Sequence, residues 1–339
     1  MKKMIVPKPV SAGLILSYKC NSRCRHCMYA CSPEWRSDWI TEDDLETVLG
    51  KLSNKILPSP LGPNAISINY GLHLTGGEPF LNFNLLLKAA EIANELGIPS
   101  TFVETNCFWA VDESTAEARL TQLKEKGLKG ILVSVNPFIL EYVPFERTER
   151  VIKAGRHVFD ANVIVYQEDF LDQFRQLDVK GTMPFEDYLL RAGSQGFRHV
   201  ELIPMGRAAY SLAGLYRRFP ARQFFGESCL DSILRRWHVH IDNYGNYMAG
   251  YCGGISLGAA KELDSMFEGI DLEEMPIVNA LATDIRKLYQ LATEEFGYRE
   301  LVEGYISKCH LCLDIRRHIA KLTGRFKELS PREFYLQLS

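Results

Sequence analysis

Up to residue 206 the chain alternates short β-type runs with longer helical periods, and few folds accept such an order. Repeated βα units build a mostly parallel sheet with helices on its outside. Strands are expected at residues 13–18, 65–74, 100–105, 130–135, 161–166 and 199–203. Between them, Thr41 ahead of Glu42, Asp43 and Asp44 is a helix cap followed by acids that suit the helix dipole. Leu85, Leu86, Ala89, Ile92, Ala93 and Leu96 keep a helical apolar period that Gly97 ends.

Six βα units joined by right-handed crossovers curl into a partial barrel or a doubly wound sheet. Either form gathers ligands at the carboxyl ends of its strands. The unusual residues lie there: Cys20, Cys24 and Cys27 after the first run, Gly76-Gly77-Glu78-Pro79 after the second, and Thr105-Asn106-Cys107 at the end of the third. Beyond Gly206 the pattern changes to an Arg/Phe-rich helical stretch over 215–225, a hairpin over 238–248 turning at Asn243 to Asn246, and helices after Asp271. The expected division is a barrel over residues 10–210, a smaller α+β extension over 220–325 and a tail over 326–339.

The 46% hydrophobic content supplies an ordinary globular core, and a net charge of −3 gives no basic field for nucleic acid. No apolar stretch reaches membrane-spanning length, and Pro7 and Pro9 interrupt the apolar start, against a secretory signal. Nine cysteines without an export signal point to metal or cluster ligation in a reducing, cytoplasmic setting. Phosphate-loop, dinucleotide-fold, zinc-peptidase and serine-hydrolase motifs do not occur.

The C-x3-C-x2-C loop of Cys20, Cys24 and Cys27 can hold three irons of a [4Fe–4S] cube and leave the fourth open for a ligand. Zinc and ferredoxin-like sites use similar spacing, and Cys31 is placed to act as a fourth ligand or as a buried loop thiol. Cys229, Cys252, Cys309 and Cys312 supply four more ligands, enough for a second cube or a structural zinc. Cys309 and Cys312 form a C-x2-C knuckle on which His310 is expected to be exposed, with ligation in place of a cysteine as the alternative. His238 and His240 share one strand face and read as packing or substrate-facing residues, with ligation the lesser alternative.

The cysteine loop together with Gly76-Gly77-Glu78-Pro79 resembles the radical SAM superfamily, partial (β/α)6 barrels that cleave S-adenosylmethionine with a three-cysteine [4Fe–4S] cluster. His26 stands where that family has an aromatic residue. The resemblance implies that Gly76, Gly77, Glu78 and Pro79 bind the methionyl end, Glu78 at its amino group. It also makes Thr105-Asn106 the counterpart of the family's T-N-G element, with Cys107 in place of the glycine. Ser134 and Asn136 correspond to a ribose-contacting segment, with strand-end capping as the alternative. The segment from Glu201 to Arg207, with Met205, resembles the part that packs near adenine, and Arg207 is a candidate for the carboxylate of the cofactor. Cys107 is a candidate for donating hydrogen to a substrate radical, with simple burial as the alternative. A four-cysteine first cluster would leave the Gly-Gly-Glu-Pro loop unexplained, so Cys31 is read as a loop thiol.

The order of the later cysteines around the hairpin resembles a Twitch or shortened SPASM extension with one auxiliary [4Fe–4S] cluster, although Gly245-x6-Cys252 is longer than usual there. The resemblance implies a 5′-deoxyadenosyl radical acting on a ribosomally made peptide, by crosslinking, thioether formation, epimerisation or oxidation. Oxidation or rearrangement of a sugar or nucleotide is the alternative, and a non-catalytic electron carrier or zinc scaffold is the reading from another class. A reductant such as flavodoxin or ferredoxin is expected as a partner. With about a dozen residues ahead of the first strand, too few for a recognition domain, a peptide would be held by the barrel or by a separate carrier protein.

Overall fold

The computed structural model describes residues 3–193, 196–197, 202–248 and 250–338. Its strands are β1 (Lys3–Met4), β2 (Ser11–Ile15), β3 (Gly71–Thr75), β4 (Phe102–Thr105), β5 (Gly130–Ser134), β6 (Val163–Tyr166), β7 (Val239–Ile241), β8 (Tyr247–Met248) and β9 (Ile270–Asp271). Seven of them form one open sheet in the order β6-β5-β4-β3-β2-β7-β8, parallel except for β8. Both faces are covered, so all five residues of β2 are buried, as a parallel sheet under helices requires. β1 and β9 pair separately.

Helices follow the strands where the caps announce them. Thr41 accepts from the Asp44 N–H to start Glu42–Leu52, and Gly97 turns left-handed at φ 66° just after Phe83–Glu95. Asp112 caps Glu113–Glu125 in the same way. Among the described residues no helix is long and apolar enough to cross a membrane.

Four expectations need revision. The second strand begins at Gly71, whose φ of 77° follows a tight Ser67–Tyr70 bridge, so residues 65–70 are a turn. Residues 215–225 do not form a helix: Pro220 separates two short 3-10 turns, and Phe219 instead bridges to Tyr305. Of the sixth expected strand, residues 199–201 lie outside the described residues. The hairpin does form, with Gly245 at φ 76° in its turn, but β7 joins the main sheet beside β2, so the pairing crosses the division expected at 207–225. Residues 326–338 are no loose tail either, since Phe334, Tyr335 and Leu338 are buried and Ser32 Oγ donates to Gln337 Oε1 at 3.0 Å.

Candidate active site

The chain leaves β2 into the cysteine loop, and three neighbours shape that loop. The Gly77 and Glu78 N–H groups donate to the carbonyls of Ser17 and Lys19 at 2.8 and 3.1 Å. A Cβ on Gly77 would lie 2.0 Å from the Lys19 carbonyl oxygen, so the second glycine is what lets the two loops touch. Gly77→Ala is therefore expected to lower stability by about 1–3 kcal/mol, read as an earlier midpoint in urea unfolding. The third neighbour is Arg207. Its backbone N–H donates to Cys27 O at 3.0 Å, and its buried guanidinium donates to the carbonyls of Cys24, Ala30, Cys31 and Gln337 at 2.8 to 3.2 Å. A cation thus gathers the loop's carbonyls, which corrects the expectation that Arg207 is free for a cofactor carboxylate.

With its carbonyls drawn away, the loop presents its sulfurs to one cavity of about 230 Å³. Cys20, Cys24 and Cys27 all line it, together with Gly76, Gly77, Thr105, Asn106 and Ser134. Burial pushes the Cys20 and Cys24 thiols up, while the Cys31 thiol, hydrogen-bonded to Cys27 Sγ, is the main cause holding Cys27 down to about 6. The Cys31 N–H donates to the same sulfur at 3.3 Å. Three grouped thiols, two of them disfavouring charge without a partner, are a donor set suited to a metal cluster that takes them as thiolates.

Glu78 is almost fully buried. Its carboxylate accepts from the Phe80 N–H, Thr105 Oγ1 and, at 2.8 Å, the Asn106 N–H, and burial still raises it to about 7. It locks the Gly-Gly-Glu-Pro turn, including buried Pro79, to the end of β4. Asn136 Oδ1 caps Pro137–Leu140 through the Ile139 N–H, so its amide nitrogen is left to donate to His26 Nε2 at 3.2 Å. His26, kept neutral by burial with its value lowered to about 4, then carries its proton on Nδ1. That buried N–H has no hydrogen-bond partner among the described residues, and the ring, stacked on Phe138, lines the cavity. Cys107 is fully buried and is not among the lining residues, so its placement does not favour hydrogen donation into the cavity.

Glu104 and His73 also line the cavity, and both escaped the sequence analysis. Glu104 accepts from Thr75 Oγ1 at 2.8 Å and Ser134 Oγ at 3.1 Å, and His73 stands on β3. Each is a polar residue inside an otherwise apolar strand, Phe102–Thr105 and Gly71–Thr75, and that was the available signal.

The later cysteines also converge. Cys229, Cys252, Cys309 and Cys312 line a second, smaller cavity with Met205 and Gly206. Cys309 and Cys312 stand about one turn apart at the start of the helix Lys308–Leu322, capped by Ser307 rather than set on a free knuckle. His310 is buried, not exposed: its Nδ1 accepts from the Ile306 N–H at 3.3 Å. Burial pushes Cys229 and Cys309 up to about 12, while Arg316 Nε donates to Cys312 Sγ at 3.2 Å. Met205 to Arg207 joins the two centres, because Met205 faces the second while Arg207 holds the first loop.

No family profile matches the chain. Over 205 residues it is 28% identical to a GTP 3′,8-cyclase of Corynebacterium glutamicum strain ATCC 13032, covering 56% of this chain and 48% of that protein. The chain is a relative of radical SAM enzymes. It spans about half the length of the curated relatives it matches. Among solved structures, the radical SAM relative superposes on BtrN in complex with AdoMet and 2-DOIA at 14% identity and a TM-score of 0.42, over 84% of this chain and 90% of that one. For anSMEcpe with bound AdoMet the values are 15% and 0.44, over 77% and 81% of the two chains. For Streptococcus suis SuiB bound to precursor peptide SuiA they are 14% and 0.32, over 90% and 76%.

Proposed function

We propose that this radical SAM relative is an enzyme that binds S-adenosylmethionine at a [4Fe–4S] cluster held by Cys20, Cys24 and Cys27 and abstracts a hydrogen atom from a substrate in the main cavity. The observation that carries the reading is the shared wall: three thiols, the Gly76-Gly77 turn and the unpartnered His26 Nδ1–H all border one space. Three thiolates leave one iron for the cofactor, and Cys31 is occupied by its contacts with Cys27. When bound, the cluster and S-adenosylmethionine supply one-electron cleavage to methionine and a 5′-deoxyadenosyl radical.

The chain's own residues bind and orient. Gly76 and Gly77 admit backbone close to the methionyl end, with Glu78 and Pro79 behind them. His26 Nδ1–H suits an acceptor nitrogen of adenine, and Ser134 and Glu104 suit ribose hydroxyls. We assign Cys229, Cys252, Cys309 and Cys312 to a second [4Fe–4S] cluster in a Twitch-like extension. Four thiols lining one cavity are a donor set that suits a cube, with a structural zinc as the alternative that iron counting decides.

The auxiliary set leads us to assign the substrate to a ribosomally made peptide, with flavodoxin or ferredoxin as the reductant and a cytoplasmic setting. A nucleotide is the second reading, favoured by the relation to a protein named GTP 3′,8-cyclase. Anaerobic reconstitution with iron and sulfide, then reduction with S-adenosylmethionine, is expected to load about eight irons and release 5′-deoxyadenosine. Loaded, reduced protein that forms none would leave an electron carrier or scaffold as the reading. In a Cys20/Cys24/Cys27 triple alanine variant about four irons should persist, whereas zinc in their place would reject the second cluster.

A further inference from the structure

Three histidines meet on the cavity wall at the level of Gly13. In register, Gly13 of β2 faces His73 of β3 on one side and His240 of β7 on the other, and His238 lies two residues before His240, directly ahead of β7. A Cβ on Gly13 would lie 2.0 Å from His73 Nε2 and 2.5 Å from His240 Cδ2, so the absent side chain is the space the two rings enter. His240 Nε2 lies 3.2 Å from His73 Nε2 and 3.5 Å from His238 Nε2, and the group's ligand nitrogens all lie within 4.8 Å of one another. Among the described residues it is the sole group of three or more such side chains this tight.

Hydrogen bonding does not account for this convergence. A neutral ring nitrogen holds either one proton or one lone pair in the ring plane. His240 Nε2 therefore satisfies one of its two facing nitrogens and leaves the other opposed to it, inside a protein where unmet polar groups are costly. A cation shared by all three removes the conflict. Bonds of 2.0–2.1 Å at a tetrahedral angle put ligand nitrogens about 3.3 Å apart, between the two distances found here. The outer contacts fit as well. His238 Nδ1 lies 2.8 Å from Ser11 Oγ, and His240 Nδ1 lies 2.9 Å from Tyr29 OH, partners that fix ring orientation, while the Gly250 backbone also bonds the His240 ring.

We propose that His73, His238 and His240 form a binding site for one divalent transition-metal ion of the zinc class, distinct from both cysteine centres. Imidazole suits zinc and its first-row neighbours, and three ligands leave a fourth position for water or a donor atom of a substrate. All three rings line the main cavity, so that fourth position opens toward the space the cysteine loop faces. The site stands on its own donor geometry, and the failure of S-adenosylmethionine cleavage would leave it intact.

The test uses the full chain after iron and sulfide have filled the cysteine sites, titrated with zinc and washed. One further zinc per chain is expected, with a zinc-edge X-ray absorption shell of nitrogen or oxygen at about 2.0–2.1 Å. His73→Gln and His240→Gln should each lose that zinc and keep their iron, which also shows that the variants fold. Tyr29→Phe should bind zinc about 10- to 100-fold more weakly, as loss of an outer-shell partner does. Equal zinc in wild type and both histidine variants, or a sulfur shell at about 2.3 Å, would overturn the proposal.

Discussion

Cys27→Ala is expected to abolish 5′-deoxyadenosine formation and to lower the reconstituted iron content by about four, while the second centre keeps its iron. The reason is geometric. The loop offers three sulfurs to the cavity, while Arg207 holds the carbonyls of Cys24, Ala30 and Cys31. Cys31 supplies the internal control. It touches Cys27 Sγ through its N–H and its thiol, and burial pushes its own thiol up, which makes it a neutral donor to a ligand sulfur. Cys31→Ala should therefore retain about four irons at the first centre and some activity. If Cys31→Ala lost the cluster as completely as Cys27→Ala, Cys31 would be a fourth ligand, and the place for S-adenosylmethionine would be gone. Iron analysis and product formation, measured on the same samples, separate the two results.

Much of this centre was legible in the sequence because its parts are local. A three-cysteine loop, a Gly-Gly-Glu-Pro turn and a Thr-Asn step each follow a strand whose apolar pattern is visible, and parallel βα order brings strand ends together without further information. What was hidden depends on distant pairing. Nothing near Val239–Ile241 reveals that it docks beside β2, so His240 reads as one member of an alternating strand until His73 appears across Gly13. The same holds for the terminal segment, whose Gln337 carbonyl completes the shell of Arg207 from the far end of the chain. His310 misleads for a local reason: Ser307 starts a helix at Lys308, and the first turn that aligns Cys309 and Cys312 rotates the intervening ring inward. Pro220 was visible too, and its missing N–H and fixed φ leave only short turns where an Arg/Phe-rich helix is expected at 215–225.

Arg207→Met should cost about 3–5 kcal/mol and unseat the cysteine loop, a larger effect on stability than any other single change described above. The side chain is buried, and its donors meet the carbonyls of Cys24, Ala30, Cys31 and Gln337. Methionine fills a similar volume but donates nothing, so those carbonyls stay buried and unmet. Lysine keeps the charge yet places it as a point, unable to reach carbonyls spread along two chain segments, so Arg207→Lys should rescue only part of the loss. The loop's response distinguishes this from simple destabilisation. Gly206, at φ 55°, would carry a Cβ 2.4 Å from the Met28 carbonyl, so segment 205–207 lies directly against the loop whose carbonyls Arg207 holds. Arg207→Met is therefore expected to reconstitute with about four fewer irons even at temperatures where circular dichroism shows it folded. The second centre, where Arg316 holds Cys312 Sγ and the Ser307-capped helix carries Cys309 and Cys312, should fill normally. A folded Arg207→Met protein with a full first cluster would show that the loop holds its shape without the cation, and that Arg207 serves stability alone.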